Sequence, residues 1–427
     1  MAATQQIVPP MHDAGRGPDA PSAKFDLLLR CCRAALAGRD TEFISAQGAS
    51  ETEWADVLAL AELHGVLPLL CPALLRISNS LPRNVEERIR RSEILNARRA
   101  LLLTGELLRI TQHFREQNIS VLPYKGPALS QLLYAGVTRR QAGDLDLLVR
   151  PCDVARATGA LGTLGFQPYL KLSQKEQRWY LKSGYEYTFA GPAGENMLEL
   201  KWRILPNFYA IPFDLDGMFR RSQPLSLGGT QTATLSAEDS LLVLCVHAAK
   251  HAWSRLGWLC DIAKLADALP LNWTEIEARA RAMRIERIVA LNFLLARQLL
   301  KTALPEPVRL YVNNDPDVQR MAGEIAVSVR QGEPFDAESL AYFQLMAKSR
   351  EHVKDRVRFW WRLGTTPGIN EWSALKLPRL LGWLYRGIRF YRLGRRLASK
   401  LSPASLSRTS RLSRTSQSNS SHKLVRF

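Results

Sequence analysis

The hydrophobic period of this chain changes twice, and this change limits the folds that it can adopt. From about residue 24 to residue 117, apolar residues recur three and four positions apart, the spacing of amphipathic helices. Between Ile119 and Trp202 the period shortens to two in several short segments, which is typical of strands. Helical spacing then returns and continues to about residue 400. We therefore predict an α+β fold, with a small mixed sheet between two helical parts of the chain.

The strand-like segments lie close together in the sequence. They are Ile119–Tyr124, Asp144–Val149, Tyr185–Phe189 and Met197–Trp202. The turn-rich residues 190–196 separate the last two, so these two segments form a predicted hairpin. After this hairpin we expect helices, including one that begins at the capping sequence Ser236–Asp239.

Composition indicates a globular chain long enough for two or three domains, since 46% of its 427 residues are hydrophobic and 23% are charged. The longest apolar stretch, residues 57–75, contains Glu62, His64 and two prolines, so no transmembrane segment is predicted. Residues 1–22 lack the pattern of a secretory signal. The six cysteines include no CxxC pair and predict reduced thiols in a cytoplasmic protein.

Positive charge is concentrated towards the C-terminus. The net charge is +18, and residues 372–427 contain 13 Lys and Arg but no Asp or Glu. Leucines from Leu377 to Leu384 recur at helical spacing, with arginines on the other faces. This pattern predicts a basic amphipathic helix that suits a polyanion, either an anionic membrane surface or RNA phosphates. In the alternative, the apolar stripe packs on the preceding helices and the arginines are simply solvated.

Three carboxylates are the candidates for chemistry. Asp144 and Asp146 are two positions apart on a predicted strand, so they point to the same face, and Glu199 lies on the polar face of a later strand. If the two strands are neighbours, the carboxylates converge. Like charges ~5 Å apart repel by roughly 1 kcal/mol in water and roughly 3 kcal/mol at an effective dielectric near 20. The cluster therefore favours Mg²⁺, and two ions would suit nucleotidyl transfer. An exposed Asp-x-Asp at a strand end is the structural alternative.

A second group of residues suits a phosphate chain. Lys125, Gly126 and Pro127 join a predicted strand to a predicted helix, where glycine allows close approach and free amides suit phosphate oxygens. Arg140 precedes the acid pair and is placed to clamp a triphosphate. An ordinary strand-to-helix turn and a solvated loop arginine are the respective alternatives.

Two histidines share a face of a predicted helix. His247 and His251 are four positions apart, a spacing that can bind a metal, but no third soft ligand accompanies them and Lys250 disfavours a dication. We expect them to be hydrogen-bonded core residues, or residues behind the metal ligands that face the nucleotide.

The order of these elements resembles the nucleotidyltransferase fold of the DNA polymerase beta superfamily. Most of the chain, roughly residues 25 to 397, is similar to a family of uncharacterised bacterial nucleotidyltransferases. The segments that carry the resemblance are Tyr124-Lys-Gly-Pro-Ala-Leu129, Arg140-Gln-Ala-Gly-Asp-Leu-Asp-Leu-Leu-Val149, Leu164-Gly-Phe166 and Leu198-Glu-Leu-Lys-Trp-Arg203. Two positions depart from the pattern: Pro127 stands where Gly or Ser is usual, and Lys201 stands where His is common.

The resemblance implies Asp144, Asp146 and Glu199 as metal ligands and catalytic acids, for Mg²⁺ or alternatively Mn²⁺. It implies Gly126, with Lys125 and Arg140, as the nucleotide-binding group, and it implies transfer of a nucleoside monophosphate from a triphosphate such as ATP. The acceptor stays open between a small molecule, a sugar, a peptide and RNA. A toxin-like tRNA nucleotidyltransferase and a non-catalytic nucleotide- or partner-binding protein are the other functions considered.

The predicted organisation has five segments. They are a disordered N-terminus (1–22), a helical N-terminal region (23–117), the nucleotidyltransferase core (118–215), a larger helical C-terminal domain (216–400) and a basic, Ser/Arg-rich disordered tail (401–427).

Overall fold

A computed structural model describes residues 23–38, 50–77, 79, 81–141, 143–192, 197–332, 339–366 and 387. The predicted α+β fold is confirmed: a five-stranded mixed sheet is flanked by helices, and the C-terminal region of the described chain is helical. The predictions for residues 1–22 and for the tail fall outside the described residues, as does the basic helix apart from position 387.

Helices precede, separate and follow the strands. Those before the sheet are α1 (Ala23–Ala37), α2 (Glu51–Leu63), α3 (Leu67–Arg76) and α4 (Arg83–Glu116). Those between strands are α5 (Gly126–Tyr134), α6 (Val154–Thr163), α7 (Gln174–Ser183) and α8 (Leu215–Arg220). The C-terminal helices are α9 (Ala237–Lys250), α10 (Leu256–Ala268), α11 (Trp273–Met283), α12 (Glu286–Leu295), α13 (Glu306–Asn314), α14 (Pro316–Gln331), α15 (Leu340–Lys348) and α16 (Val353–Thr365). In the described part of the chain, none of them is both long and apolar enough to cross a membrane.

The sheet contains the four predicted strands and one more. The strands are β1 (Val121–Pro123), β2 (Asp144–Val149), β3 (Gln167–Pro168), β4 (Glu186–Ala190) and β5 (Met197–Lys201), in the spatial order β1-β2-β5-β4-β3. The β2–β5 pair is parallel and the other pairs are antiparallel. The predicted hairpin is the antiparallel pair β4–β5. The bounds of β2 agree with the prediction, whereas β1 is shorter than predicted.

The expectation of helices alone after this hairpin is wrong, because a second hairpin follows it. Strands β6 (Gln223–Leu227) and β7 (Thr230–Thr234) pair antiparallel. Gly228 and Gly229 form the two-residue connection, and both have positive φ, of 55° and 79°. Two adjacent glycines between short alternating segments are a strong hairpin signal, because primed turns need positive φ.

Two hydrophobic clusters hold the elements together. One contains α1–α3 together with α9, α10, α12 and α14. The other lies under one face of the sheet and is formed by apolar residues of β2, β4 and β5 with α6. Helix α4 belongs to both: Val85 and Ile89 are buried in the first cluster, and Leu103, Leu107 and Phe114 in the second. The long helix therefore connects the sheet to the helical part of the chain.

Candidate active site

The pairing of β2 with β5 brings the three candidate carboxylates together. In this parallel pair Asp146 lies directly opposite Glu199. Asp144 precedes Asp146 by two positions and so shares its face. The alternate residues Leu145, Leu147, Leu198 and Leu200 are buried in the cluster under the opposite face. The burial of this apolar face determines which way the carboxylates point.

The three side chains form a donor set that fits a divalent cation. One ligand oxygen from each of Asp144, Asp146 and Glu199 lies within 4.8 Å of the others. Carboxylate oxygens are the ligands that hard cations such as Mg²⁺ prefer. The Asp146 carboxylate is buried, while the side chain of Glu199 is 23% exposed. The set therefore combines a fixed ligand with one that solvent can reach.

Positively charged groups surround Asp146. Its Oδ1 accepts a hydrogen bond from Lys125 Nζ at 3.2 Å and one from the Tyr124 hydroxyl at 3.4 Å. Lys201 Nζ lies 3.5 Å from the same oxygen. Burial disfavours the charged form of Asp146, but Lys125 and Lys201 outweigh it and hold its pKa well below the usual range. The two lysines therefore favour the ionised form of Asp146.

The other two carboxylates are held less firmly in the ionised form. Burial raises the pKa of Asp144, and the neighbouring charge of Asp146 adds to the shift. Burial also raises the pKa of Glu199 to about 7; Lys201 opposes this, while Glu186 and Asp146 favour it. Both shifts reflect buried negative charge that a bound cation would stabilise.

A fourth carboxylate, that of Glu186, was missed by the sequence analysis. Glu186 lies on β4 directly opposite Lys201 of β5, and Lys201 Nζ donates to both Glu186 and Glu199. Glu186 and Lys201 are both almost fully buried. The alternation of β4 was a usable signal, because Tyr187 and Phe189 face the apolar cluster and Glu186 must therefore face the other side.

Gly126 begins α5 directly after Lys125, beside the acid-bearing strand. Its φ is +55°, in the left-handed region, and a Cβ atom built on it would lie 3.1 Å from the backbone oxygen of Asp144. Both observations favour glycine at this position, because the turn needs a positive φ and passes close to β2. The structure thus gives a backbone reason for the Lys-Gly-Pro turn.

Arg140 is placed at the edge of the site and has a buried partner. Its Nε donates to Asp261 on α10 at 2.6 Å, and the Tyr134 hydroxyl donates to the other oxygen of Asp261 at 3.1 Å. The two terminal nitrogens of Arg140 make no hydrogen bond to the described residues. Asp261 thus anchors one edge of the guanidinium.

The histidine pair lies on α9, near the lysines of the site. The rings of His247 and His251 are 4.7 Å apart, and both contact the Trp258 ring, at 5.3 and 5.1 Å. Burial lowers the pKa of both imidazoles well below the usual value, and the charge of Lys125 adds to this effect. Neither histidine belongs to a group of three or more metal-binding side chains among the described residues.

Fold and site together define a mixed-sheet protein with a three-carboxylate centre beside a Gly-containing strand-to-helix turn. A family model described as "Uncharacterised nucleotidyltransferase" matches residues 50–301, more than half of the chain. The protein belongs to this family. No curated protein and no solved structure matches the chain at a significant level.

Proposed function

We propose that this protein transfers a nucleoside monophosphate from a nucleoside triphosphate to an acceptor and releases pyrophosphate. The observation that carries the proposal is the convergence of Asp144, Asp146 and Glu199, whose ligand oxygens lie within 4.8 Å of one another. Membership of a nucleotidyltransferase family supports the reaction class. The order of sheet elements supports placing the family in the DNA polymerase beta-like superfamily, with residues 118–215 as the catalytic core.

The residues of the site have distinct roles in this proposal. Asp144, Asp146 and Glu199 would hold magnesium, which when bound would neutralise phosphate charge and stabilise the developing charge of the reaction. Lys125 keeps Asp146 ionised and lies beside the turn at Gly126 that approaches the phosphates. Arg140 binds the triphosphate through its terminal nitrogens while Asp261 orients the guanidinium. Glu199 also orients the acceptor or removes its proton in this proposal, because its side chain is partly open to solvent at 23% exposure.

The proposal is tested by calorimetric titration with non-hydrolysable analogues of ATP, GTP, CTP and UTP, each with and without Mg²⁺. We expect at least one analogue to bind in a metal-dependent manner, and an Asp144→Ala/Asp146→Ala variant to lose that binding. The matched control is Asp216→Ala/Asp317→Ala, which removes two exposed carboxylates and the same net charge. Failure of every analogue to bind folded wild-type protein would favour the non-catalytic binding function.

The acceptor and the cellular setting are further parts of the proposal. The basic residues 372–427 favour a polyanion contact, and with it an RNA acceptor. Full-length protein in which these Lys and Arg residues are replaced by Gln should lose RNA binding but keep nucleotide binding. All six cysteines are free thiols, which supports our proposal that the protein acts in the reducing cytoplasm.

A further inference from the structure

The feature that separates this site from a plain three-carboxylate centre is a buried lysine among the acids. Lys201 and Glu199 are two positions apart on β5, so Lys201 continues the face that carries Asp144, Asp146 and Glu199. Its Nζ donates to Glu199 and Glu186 and lies 3.5 Å from Asp146 Oδ1. The Lys201 side chain is only 4% exposed.

The amine of Lys201 engages carboxylate oxygens that a bridging cation would need. Asp146 Oδ1 contacts both Lys125 and Lys201, and Glu199 Oε2 contacts Lys201. The second oxygens, Asp146 Oδ2 and Glu199 Oε1, accept no hydrogen bond from either lysine, and neither does Asp144. One oxygen of Asp146, one of Glu199 and both of Asp144 are therefore left, so a second cation could share Asp146 and Glu199 only through oxygens that Lys201 contacts.

The positive charges of the site lead to the same conclusion. Lys125 and Lys201 act on Asp146, and Lys201 and Lys250 act on Glu186. A second divalent cation close to Asp146 and Glu199 would lie beside the buried ammonium group of Lys201, where repulsion in a site of low dielectric is strong.

We propose that Lys201 takes the place of one divalent cation, so that this site binds one metal ion and the Lys201 ammonium supplies the second positive centre. The inference rests on the proposed function, because it concerns how the same three acids bind metal. Glu186 is a positioning residue in this arrangement: it lies opposite Lys201 across the β4–β5 pair and holds its Nζ among the acids. This proposal differs from the sequence-based prediction of two ions.

The test counts Mn²⁺ ions bound to the full-length protein, with a non-hydrolysable ATP analogue present, by electron paramagnetic resonance. We expect one ion per chain in the wild type and two in Lys201→Gln, where the second ion produces the spectrum of a coupled manganese pair. Lys348→Gln is the control, because Lys348 is exposed at the end of α15 and forms no ion pair with the described residues. This control should still bind one ion.

A second variant keeps the test decisive if Lys201→Gln fails to fold. Lys201→Gln/Glu186→Gln removes one positive and one negative charge, so the net charge of the site is unchanged, and it is expected to fold and to bind two ions. Two ions in the wild type would overturn the inference while leaving the proposed function intact. One ion in both Lys201 variants would show that Lys201 does not limit the count. A wild type that binds no ion would contradict the inference and the proposed metal site together.

Discussion

Arg140 donates through Nε to Asp261, at 2.6 Å and across 121 residues of sequence. Both side chains are almost fully buried, at 14% and 3% exposure. Burial raises the pKa of Asp261, and the contacts with Arg140 and Tyr134 oppose that shift. The pair links the loop before β2 to α10, so the position of Arg140 beside the acids depends on a helix that lies outside the predicted catalytic core.

The first prediction concerns this pair. Asp261→Ala should lower the free energy of unfolding by about 3 kcal/mol, because it leaves a buried guanidinium without its partner. Arg140→Met/Asp261→Leu should recover most of that loss, since no buried charge then remains unpaired. Urea denaturation of the wild type, Arg140→Met, Asp261→Leu and the double variant measures the coupling. Strictly additive losses would contradict a direct pairing.

The same double variant separates stability from ligand binding. If the terminal nitrogens of Arg140 bind the triphosphate, Arg140→Met/Asp261→Leu should bind the nucleotide analogue at least tenfold more weakly although it is stable, as expected for the loss of a charge-assisted hydrogen bond of about 1.5–3 kcal/mol. Calorimetric titration at fixed Mg²⁺ gives the ratio of dissociation constants. Unchanged affinity in the folded double variant would limit Arg140 to a structural role.

Substitutions of the two aspartates should change the free energy of unfolding of the metal-free protein in opposite directions. Asp144→Asn should raise the free energy of unfolding by about 1 kcal/mol, because it removes a buried charge that Asp146 repels. Asp146→Asn should lower it by about 2 kcal/mol, because Lys125 and Lys201 lose an anionic partner. Measurements with a chelator present give both values, and equal effects of the two substitutions would count against the charge arrangement described above.

Gly126 should tolerate no side chain. Gly126→Ala requires a left-handed backbone that costs about 1–2 kcal/mol for an L-residue, and its Cβ would lie 3.1 Å from Asp144 O. We expect a loss of stability of that size and weaker nucleotide binding, because the turn must shift away from β2. Gly229→Ala is the control: its φ is also positive, but nothing lies near the added Cβ. The control should lose stability without losing affinity for the nucleotide.

The buried side chain of His64 should make the stability of the protein depend on pH. Its Nδ1 accepts a hydrogen bond from Leu256 N at 3.4 Å, and its backbone oxygen accepts one from Gly257 N, so it completes the start of α10. Burial lowers the pKa of His64 to about 4, and Arg255 adds to the shift. The unfolded chain therefore takes up a proton near pH 6.5 that the folded chain does not.

It follows that stability from His64 is present above about pH 6.5 and is lost as the pH falls towards 4. Between pH 7 and pH 5 this residue should account for a loss of about 2 kcal/mol. His64→Gln should reduce the fall in urea midpoint over that range, because glutamine does not titrate. A variant with the same pH dependence as the wild type would show that His64 titrates normally in the folded protein.

The sequence was sufficient to predict the central strand and its polarity. The alternation of Asp144–Val149 gives both the bounds of β2 and the face that carries the acids, because burying Leu145 and Leu147 leaves one orientation. That β5 lies next to β2 could only be assumed from the sequence. Strand pairing depends on contacts between distant segments, and the hydrophobic alternation within one segment does not show these contacts.

Partners that lie far apart in sequence could not be predicted. Lys201 was recognised as a departure from a common histidine, but its contact with Glu186 requires the register of β4 against β5. The ion pair between Arg140 and Asp261 likewise requires the packing of α10 beside α5. In contrast, the hairpin at Gly228 and Gly229 was predictable from local turn chemistry. It was missed because the segments around it have a strong helical pattern.

Helix α4 has one end in each hydrophobic cluster, and this has a consequence for how the protein unfolds. Neither cluster can lose its packing without releasing half of a helix that the other cluster still holds. Denaturation followed at Trp202, which lies beneath the sheet, and at Trp54, which lies in α2, should therefore give a single shared transition. The carboxylate-bearing sheet and the helix that supplies Asp261 would then be gained and lost as one cooperative unit, without a partly folded form in which the acids are exposed.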